Sequence, residues 1–299
     1  MGLHDGLKLS PSLYHRYCLE QIVPDTAYDG GDVASWQKRL RPVLAQCMGF
    51  SIPERKTALN PRVLWKQEFA AGTVEKITFA SEPCADVLAY VCLPRDVRPP
   101  YDWFICLQGH STGMHNSIGV ERDDEFVPKT IEGDRNFGIG CMERGIAALC
   151  IEQRSFGLRG ETVQKQISTH MCHDAICQAL MLGKTLAGER VYDVERGIDY
   201  LATRPDVNMD RIGVMGNSGG GTVSIYAAAL LPRIAFCMPS CSFCTYAGSV
   251  MSIYHCGDNY IPGLLRHAES ADVLGLFAPK PCVVVAGVED DIFPIAEIR

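Results

Sequence analysis

The sequence predicts an α/β fold with a mostly parallel central sheet, antiparallel N-terminal edge strands and helices on both faces. Residues 62–93 alternate polar and apolar side chains in three short runs, which is typical of strands at a sheet edge. From residue 100, continuous apolar runs alternate with helical stretches, as expected for parallel strands buried on both faces. No linker interrupts residues 61–299, so we expect one domain there.

Residues 1–60 are expected to form a helical N-terminal extension. Ser10 and Pro11 are typical of a helix start, and Asp32 can cap a second helix that runs to about Met48. A stretch that contains prolines then separates this extension from the first strand.

The strands and helices follow one another along the chain. The edge strands are predicted in VLWKQEF, VEKITFA and DVLAYVCL, and the buried strands in DWFICLQG, GIAALCIEQ, RIGVMG, IAFCMPS and PCVVVAG. Helices are predicted in FGIGCMERG, in one long stretch from ICQALMLGK to DYLATR, in GGGTVSIYAAALL and in ADVLGLFAP. This alternation predicts right-handed crossovers between parallel strands.

Composition excludes several classes of protein. Of the 299 residues, 47% are hydrophobic and 21% charged, as in ordinary globular proteins. The formal net charge of -7 argues against a nucleic-acid partner. The longest apolar stretches are too short to span a bilayer, and the N-terminus lacks the apolar region of a secretion signal. We therefore expect a cytoplasmic protein without a membrane partner; a homo-oligomer is compatible with the sequence.

The 14 cysteines are interpreted as free thiols. Many lie inside apolar runs, where a thiol packs like a small hydrophobic side chain. Cys237, Cys241 and Cys244 have a C-x3-C-x2-C spacing but no convincing fourth ligand, so packing is favoured over a metal site. We expect neither a metal nor a cofactor.

A G-x-S-x-G pattern at residues 216–220 lies between a predicted strand and a predicted helix. A serine on such a sharp turn stands exposed at the carboxyl end of the sheet, and small neighbours are needed to fit the turn. Ser218 is therefore the candidate nucleophile, against the alternative of an idle serine in a glycine-rich turn.

An acyl-transfer site also needs donors for the developing oxyanion. The backbone N–H of Gly219 directly follows the candidate nucleophile, and the backbone N–H of His110 lies in the loop after the strand DWFICL. These two groups are the predicted donors. The side chain of His110 as a catalytic base is a less favoured alternative.

A carboxylate is expected after the strand PCVVVAG, where it would orient a histidine. Glu289, Asp290 and Asp291 all follow Gly287 closely. The residues alone leave the choice among them open, together with a solvated acidic turn.

Residues 60–299 resemble the acetyl xylan esterase and dienelactone-hydrolase-like branch of the α/β-hydrolases. The resemblance lies in LQGHSTGMHN, EQRSFG, the segment from LMLGK to MGNSGGG, and the segment from NYIPGLL to EDDIFP. It implies Asp290 as the acid, three residues after Gly287 and four before Pro294. It also implies a supporting role for Arg154, although the family's R-G-Q-type loop reads R-S-F-G here.

The triad histidine is the main departure from this pattern. All eight histidines precede Asp290, so we interpret the sequence as lacking the C-terminal strand, helix and catalytic-histidine loop of the fold. The substitutes within the chain would be His255, His173 and His170.

The predicted function is hydrolysis of a carboxylic ester through an acyl-serine intermediate. Dienelactone hydrolases proper carry a cysteine at this turn, so the resemblance together with Ser218 implies esterase rather than lactone chemistry. The resemblance also implies small acyl esters of the acetyl type, including those of carbohydrates, as small-molecule substrates. Two alternatives remain at this point. One is a serine peptidase of the prolyl-oligopeptidase type, and the other is a non-catalytic binding protein with a hydrolase-like fold.

Overall fold

The computed structural model describes residues 6–110, 112–161 and 172–298, and within them seven strands form one sheet. The strands are β1 (Arg62–Phe69), β2 (Gly72–Glu82), β3 (Ala85–Pro94), β4 (Tyr101–Leu107), β5 (Ala147–Ile151), β6 (Val207–Asn217) and β7 (Phe236–Ser240). Their order across the sheet is β1-β2-β3-β5-β4-β6-β7.

The strand pairing confirms the predicted mixed sheet. Strands β1, β2 and β3 pair antiparallel, and β3 joins β5 in the same sense. Strand β4 pairs in parallel with β5 and β6, and β6 pairs in parallel with β7. The parallel strands therefore end at one edge, where ligand sites of α/β sheets form.

Seven α-helices accompany the strands in the described residues. They are α1 (Pro11–Glu20), α2 (Val33–Cys47), α3 (Phe137–Glu143), α4 (His173–Met181), α5 (Leu186–Leu201), α6 (Gly219–Leu230) and α7 (Ser270–Gly275). Asp32 caps α2 as predicted, because its side chain accepts a hydrogen bond from the N–H of Ser35. None of these helices is both long and apolar enough to cross a membrane.

The long helix predicted from ICQALMLGK to DYLATR is in fact two helices. Gly183, just beyond the end of α4, has a φ of +71°, a conformation that ends a helix. Thr185 then caps α5 by accepting a hydrogen bond from the N–H of Gly188. The chain therefore turns between α4 and α5, and the prediction of one continuous stretch is wrong.

Both faces of the sheet are buried. On β4, Ile105 belongs to the core beneath α2, α5 and α6, whereas its neighbour Cys106 belongs to the core beneath α3. On β6, Val214 and Met215 divide in the same way, because successive side chains of a strand point to opposite faces. Continuous apolar runs therefore suit these central strands.

The buried strand predicted at residues 281–287 is not formed. This segment makes two isolated bridges to β7, at Cys282 and Val285, and its side chains are exposed, with Val283 at 58%. It has the apolar composition of a buried strand, but in the described residues no element covers it. The prediction failed because burial depends on neighbouring elements as well as on composition.

Candidate active site

Ser218 lies on the turn between β6 and α6 with φ 53° and ψ −122°. A non-glycine residue rarely adopts a positive φ, and strain of this kind is concentrated at functional sites. A Cβ at Gly220 would lie 2.1 Å from the carbonyl oxygen of Leu107, so the turn has no room for a larger residue. The predicted backbone outlier at Ser218 is confirmed.

An open cavity of about 520 Å³ lies in front of Ser218. Asp290 lines this cavity, whereas Glu289 and Asp291 are not among its lining residues. The Oδ1 atom of Asp290 accepts hydrogen bonds from the N–H groups of Ile292 and Phe293, both at 2.9 Å. Its carboxylate is therefore held in place at the same cavity as Ser218.

The loop after β4 comes into contact with the turn at Ser218. A Cβ built on Gly109 would lie 3.1 Å from the Cβ of Ser218. A Cβ built on Gly219 would lie 2.7 Å from both Cε1 and Nδ1 of the His110 ring. The structure thus brings Ser218, Gly219 and His110 together, because β4 and β6 are parallel neighbours whose carboxyl ends meet.

A buried ion-pair chain fixes the His110 side chain. Its Nε2 atom lies 3.0 and 3.1 Å from the two carboxylate oxygens of Asp258. Asp258 in turn accepts a hydrogen bond from Nη1 of Arg190. The side chains of Asp258 and Arg190 are 3% and 1% exposed.

These contacts determine the protonation states of His110 and Asp258. Burial opposes the charged imidazolium, but the hydrogen bond and the charge of Asp258 outweigh it and raise the pKa of His110 to about 9. Burial likewise opposes the Asp258 carboxylate, but Arg190 and His110 hold its pKa below its usual range. The group therefore carries two positive charges and one negative charge at neutral pH.

His110, Asp258, Cys172 and Cys256 present one ligand atom each within 4.8 Å of one another. This donor set is of a type that binds zinc. However, the guanidinium of Arg190 donates to Asp258 and lies 3.4 Å from Sγ of Cys172, so a cation already balances these groups. We therefore assign no metal to this cluster.

Arg154 does not line the Ser218 cavity. Its guanidinium pairs with Glu82 at 2.6 Å and with Asp193 at 2.9 Å. Its carbonyl oxygen accepts two hydrogen bonds from Arg190, from Nε at 3.0 Å and from Nη2 at 2.7 Å. Arg154 thus contacts the ion-pair chain through its backbone.

The other candidate histidines lie elsewhere. Nε2 of His255 is 2.8 Å from Oγ of Ser249, and its ring makes a T-shaped contact with Phe293, which lines the cavity, whereas His255 itself is not among the lining residues. His173 is exposed and pairs with Asp174. His170 lies outside the described residues.

Sequence reasoning missed Asp258 and Arg190. Asp258 is an acid in a loop after β7, and Arg190 is one of several charged residues on α5. The sequence shows Arg190 only as a charged residue within a predicted helix. The structure adds that most residues of α5 are buried.

The profile of the Abhydrolase family matches residues 15–297 of this chain. The YtaP protein of Bacillus subtilis (strain 168), provisionally named a hydrolase, is 31% identical over 153 residues. That match covers 50% of this chain and 48% of YtaP, so it spans about half the length of this curated relative.

Two solved structures share the fold. A Bacteroides fragilis NCTC 9343 protein, provisionally named an acetyl xylan esterase, superposes with a TM-score of 0.74 at 18% identity, covering 92% of this chain and 74% of that one. A glucuronoyl esterase from Solibacter usitatus gives 0.58 at 18% identity, covering 93% and 83%. Since the family profile matches residues 15–297 and these structures superpose over most of the chain, the protein belongs to the Abhydrolase family and has the α/β-hydrolase fold.

Proposed function

We propose that this protein hydrolyses carboxylic esters, with Ser218 as the nucleophile of an acyl-serine mechanism. The observation that carries the proposal is the strained backbone of Ser218, at φ 53°, on a strand-to-helix turn that faces an open cavity. A fold keeps such strain where a reactive side chain must be presented. Oγ of Ser218 would attack the ester carbonyl, the alcohol would leave with a proton, and water would then release the acyl group.

The oxyanion would be held by the backbone N–H groups of Gly219 and His110. Gly219 is the first residue of α6, so the positive end of that helix dipole faces the developing charge. The contact between the His110 ring and Gly219 supports this assignment, because it keeps the two donors side by side. Arg154 would support the site from behind, through the carbonyl that accepts from Arg190.

Asp290 is the proposed acid that orients a histidine base. Its place in the Ser218 cavity supports this role. Within the described residues, Oγ of Ser218 makes no hydrogen bond to a histidine, and the ring of His110 is bound to Asp258 at Nε2. The base is therefore the part of the mechanism that experiment must identify.

The proposed substrates are small acyl esters of polar alcohols, including acetyl esters of carbohydrates. Acetyl xylan and glucuronoyl esterases among the structural neighbours support this class. The cavity is open and carries charged side chains, among them Glu132 and Arg135, which suits a hydroxyl-rich alcohol. A cytoplasmic location is supported by the 14 cysteines, all of which are free thiols.

The nucleophile is tested by changing Ser218→Ala. We expect hydrolysis of a short-chain aryl acetate to fall by about 10³-fold or more, and a fluorophosphonate probe to label Ser218 in the unchanged protein, as seen by mass spectrometry of the peptide. Ser252→Ala is the matched control, since Ser252 is an exposed serine distant in sequence from the turn. Equal hydrolysis by the Ser218→Ala protein would contradict the proposal.

The base is tested by adding imidazole to the assay. If Ser218 lacks a histidine partner, free imidazole should raise the rate of aryl acetate hydrolysis several-fold over its effect on the uncatalysed reaction. Imidazole could instead rescue only one of the variants His110→Ala, His255→Ala and His173→Ala. That result would identify the changed histidine as the base and contradict the hypothesis that Ser218 lacks a histidine partner.

A further inference from the structure

The ion-pair chain of His110, Asp258 and Arg190 is an expensive feature for a protein interior. Removing charged groups from water is energetically unfavourable, and replacement of a buried pair by apolar residues is often neutral or stabilising. Stability alone is thus a weak reason for keeping Asp258 and Arg190 almost fully buried. The placement of the chain suggests a different reason.

One end of the ion-pair chain, His110, lies on the loop that carries a proposed oxyanion donor. The His110 ring is held at Nε2 by both oxygens of Asp258, and its edge faces the ring of Phe156 at 4.9 Å. The adjoining edge of the imidazole, at Cε1 and Nδ1, lies against Gly219. The ring is therefore a spacer between Asp258 and the turn at Ser218.

The other end of the ion-pair chain, Arg190, is equally well fixed. Arg190 lies on α5, donates twice to the carbonyl of Arg154, and stacks over the face of Phe156 with 4.2 Å between its Cζ atom and the ring centroid. A guanidinium with this many contacts is held rigidly by the fold. Arg190 on α5 thus fixes the position of Asp258, and Asp258 fixes the loop through its contact with the imidazole of His110.

We propose that Asp258 is a positioning residue for ester hydrolysis, which acts through the side chain of His110 to aim the His110 backbone N–H at the acyl oxygen. The inference rests on the proposed function. An oxyanion donor is effective only when it is fixed at hydrogen-bond distance from the developing charge, and loss of one donor typically costs about 10²–10³ in kcat. A loop that shifts slightly would lose part of that effect.

A double-mutant cycle tests the proposal. His110→Ala keeps the backbone N–H and leaves Asp258 paired with Arg190, and Asp258→Asn keeps the side-chain shape without its charge. We expect each change to lower kcat for an aryl acetate by about 10- to 100-fold with KM within about two-fold. We expect the kcat of the double variant to be no lower than that of the slower single variant. Losses that multiply in the double variant would overturn the proposal, as would an unchanged kcat in Asp258→Asn.

Two further measurements separate positioning from a merely structural role. In an NMR titration, Asp258→Asn should lower the pKa of His110 from about 9 towards its ordinary value of 6.5, because the imidazolium loses its partner. Asp206→Asn is the matched control, since it breaks a two-point ion pair with Arg204 far along the sequence from the loop and should leave kcat unchanged. An Asp206→Asn protein as slow as Asp258→Asn would show that general destabilisation explains both.

The outcome also separates this inference from the proposed function. Failure of the fluorophosphonate probe to label Ser218 in the unchanged protein would remove the proposed mechanism itself. Labelling of Ser218 together with an unaltered kcat in Asp258→Asn would leave the mechanism standing and remove only the role of Asp258.

Discussion

The contact between Gly219 and His110 is a steric constraint at the scale of single residues. A methyl group at position 219 would lie 2.7 Å from two ring atoms of His110, well inside the normal contact distance. The φ of Gly219 is not in the left-handed region, so alanine fits the backbone and only the ring is displaced. Because the contact with that ring is proposed to keep the two oxyanion donors side by side, the position is sensitive through geometry and not through backbone strain.

We therefore predict that Gly219→Ala lowers kcat for an aryl acetate by about 10-fold or more while the melting temperature changes little. In a His110→Ala background the same change should have almost no effect on kcat, since the obstructing ring is gone. Gly140→Ala in α3 is the control, because the added methyl meets its nearest neighbour at an ordinary 3.5 Å. A full effect of Gly219→Ala without the His110 ring would refute this explanation.

Thr185 links elements rather than residues. Its Oγ1 atom accepts from the N–H of Gly188, which caps α5, and donates to the carbonyl of Met48 at the end of α2 at 2.9 Å. One buried hydroxyl therefore satisfies backbone groups at two helix ends. We predict that Thr185→Ala lowers the free energy of unfolding by about 1–2 kcal/mol in urea denaturation, and that Thr185→Ser keeps most of it. Equal losses in both variants would assign the effect to the methyl group.

Elements were predictable from the sequence where one local pattern decides the structure. The apolar runs of β4 and β6 predicted strands because both of their faces are buried, and the small residues around Ser218 predicted the turn. Residues 281–287 have the same composition but are exposed, since no described element covers them. The break at Gly183 was missed because the apolar periodicity continues across it, although the helix does not.

The missed part of the site depends on the whole molecule. Asp258 lies 148 positions after His110 and 68 positions after Arg190, so no local pattern connects the three. In the sequence, each is an ordinary polar residue in a loop or a helix. Their proposed common role appears only when the loop after β4, the loop after β7 and the helix α5 come together in the fold. Long-range charge pairing is the information that one sequence does not display.

The same ion-pair chain makes the stability of the whole protein depend on pH. The folded-state pKa of His110 is raised from 6.5 to about 9, so its contribution is fully present below pH 6.5 and is lost as the pH rises through 9. Because 26% of the His110 side chain is exposed, we expect the contribution to be about 1–3 kcal/mol. Groups that the unchanged protein and His110→Ala share, such as Glu152 with its pKa raised by burial to about 7, largely cancel in the difference between them.

We predict that the difference in unfolding free energy between the unchanged protein and His110→Ala narrows by about 1–3 kcal/mol from about pH 6 to about pH 10. Urea denaturation of both proteins at a series of pH values measures it. The lost packing of the ring against Phe156 adds a constant offset, which does not vary with pH. A difference that stays constant over this range would show that the pKa of His110 is the same in the folded and unfolded protein, and a difference that widens with pH would show that burial outweighs Asp258 and lowers the folded-state pKa.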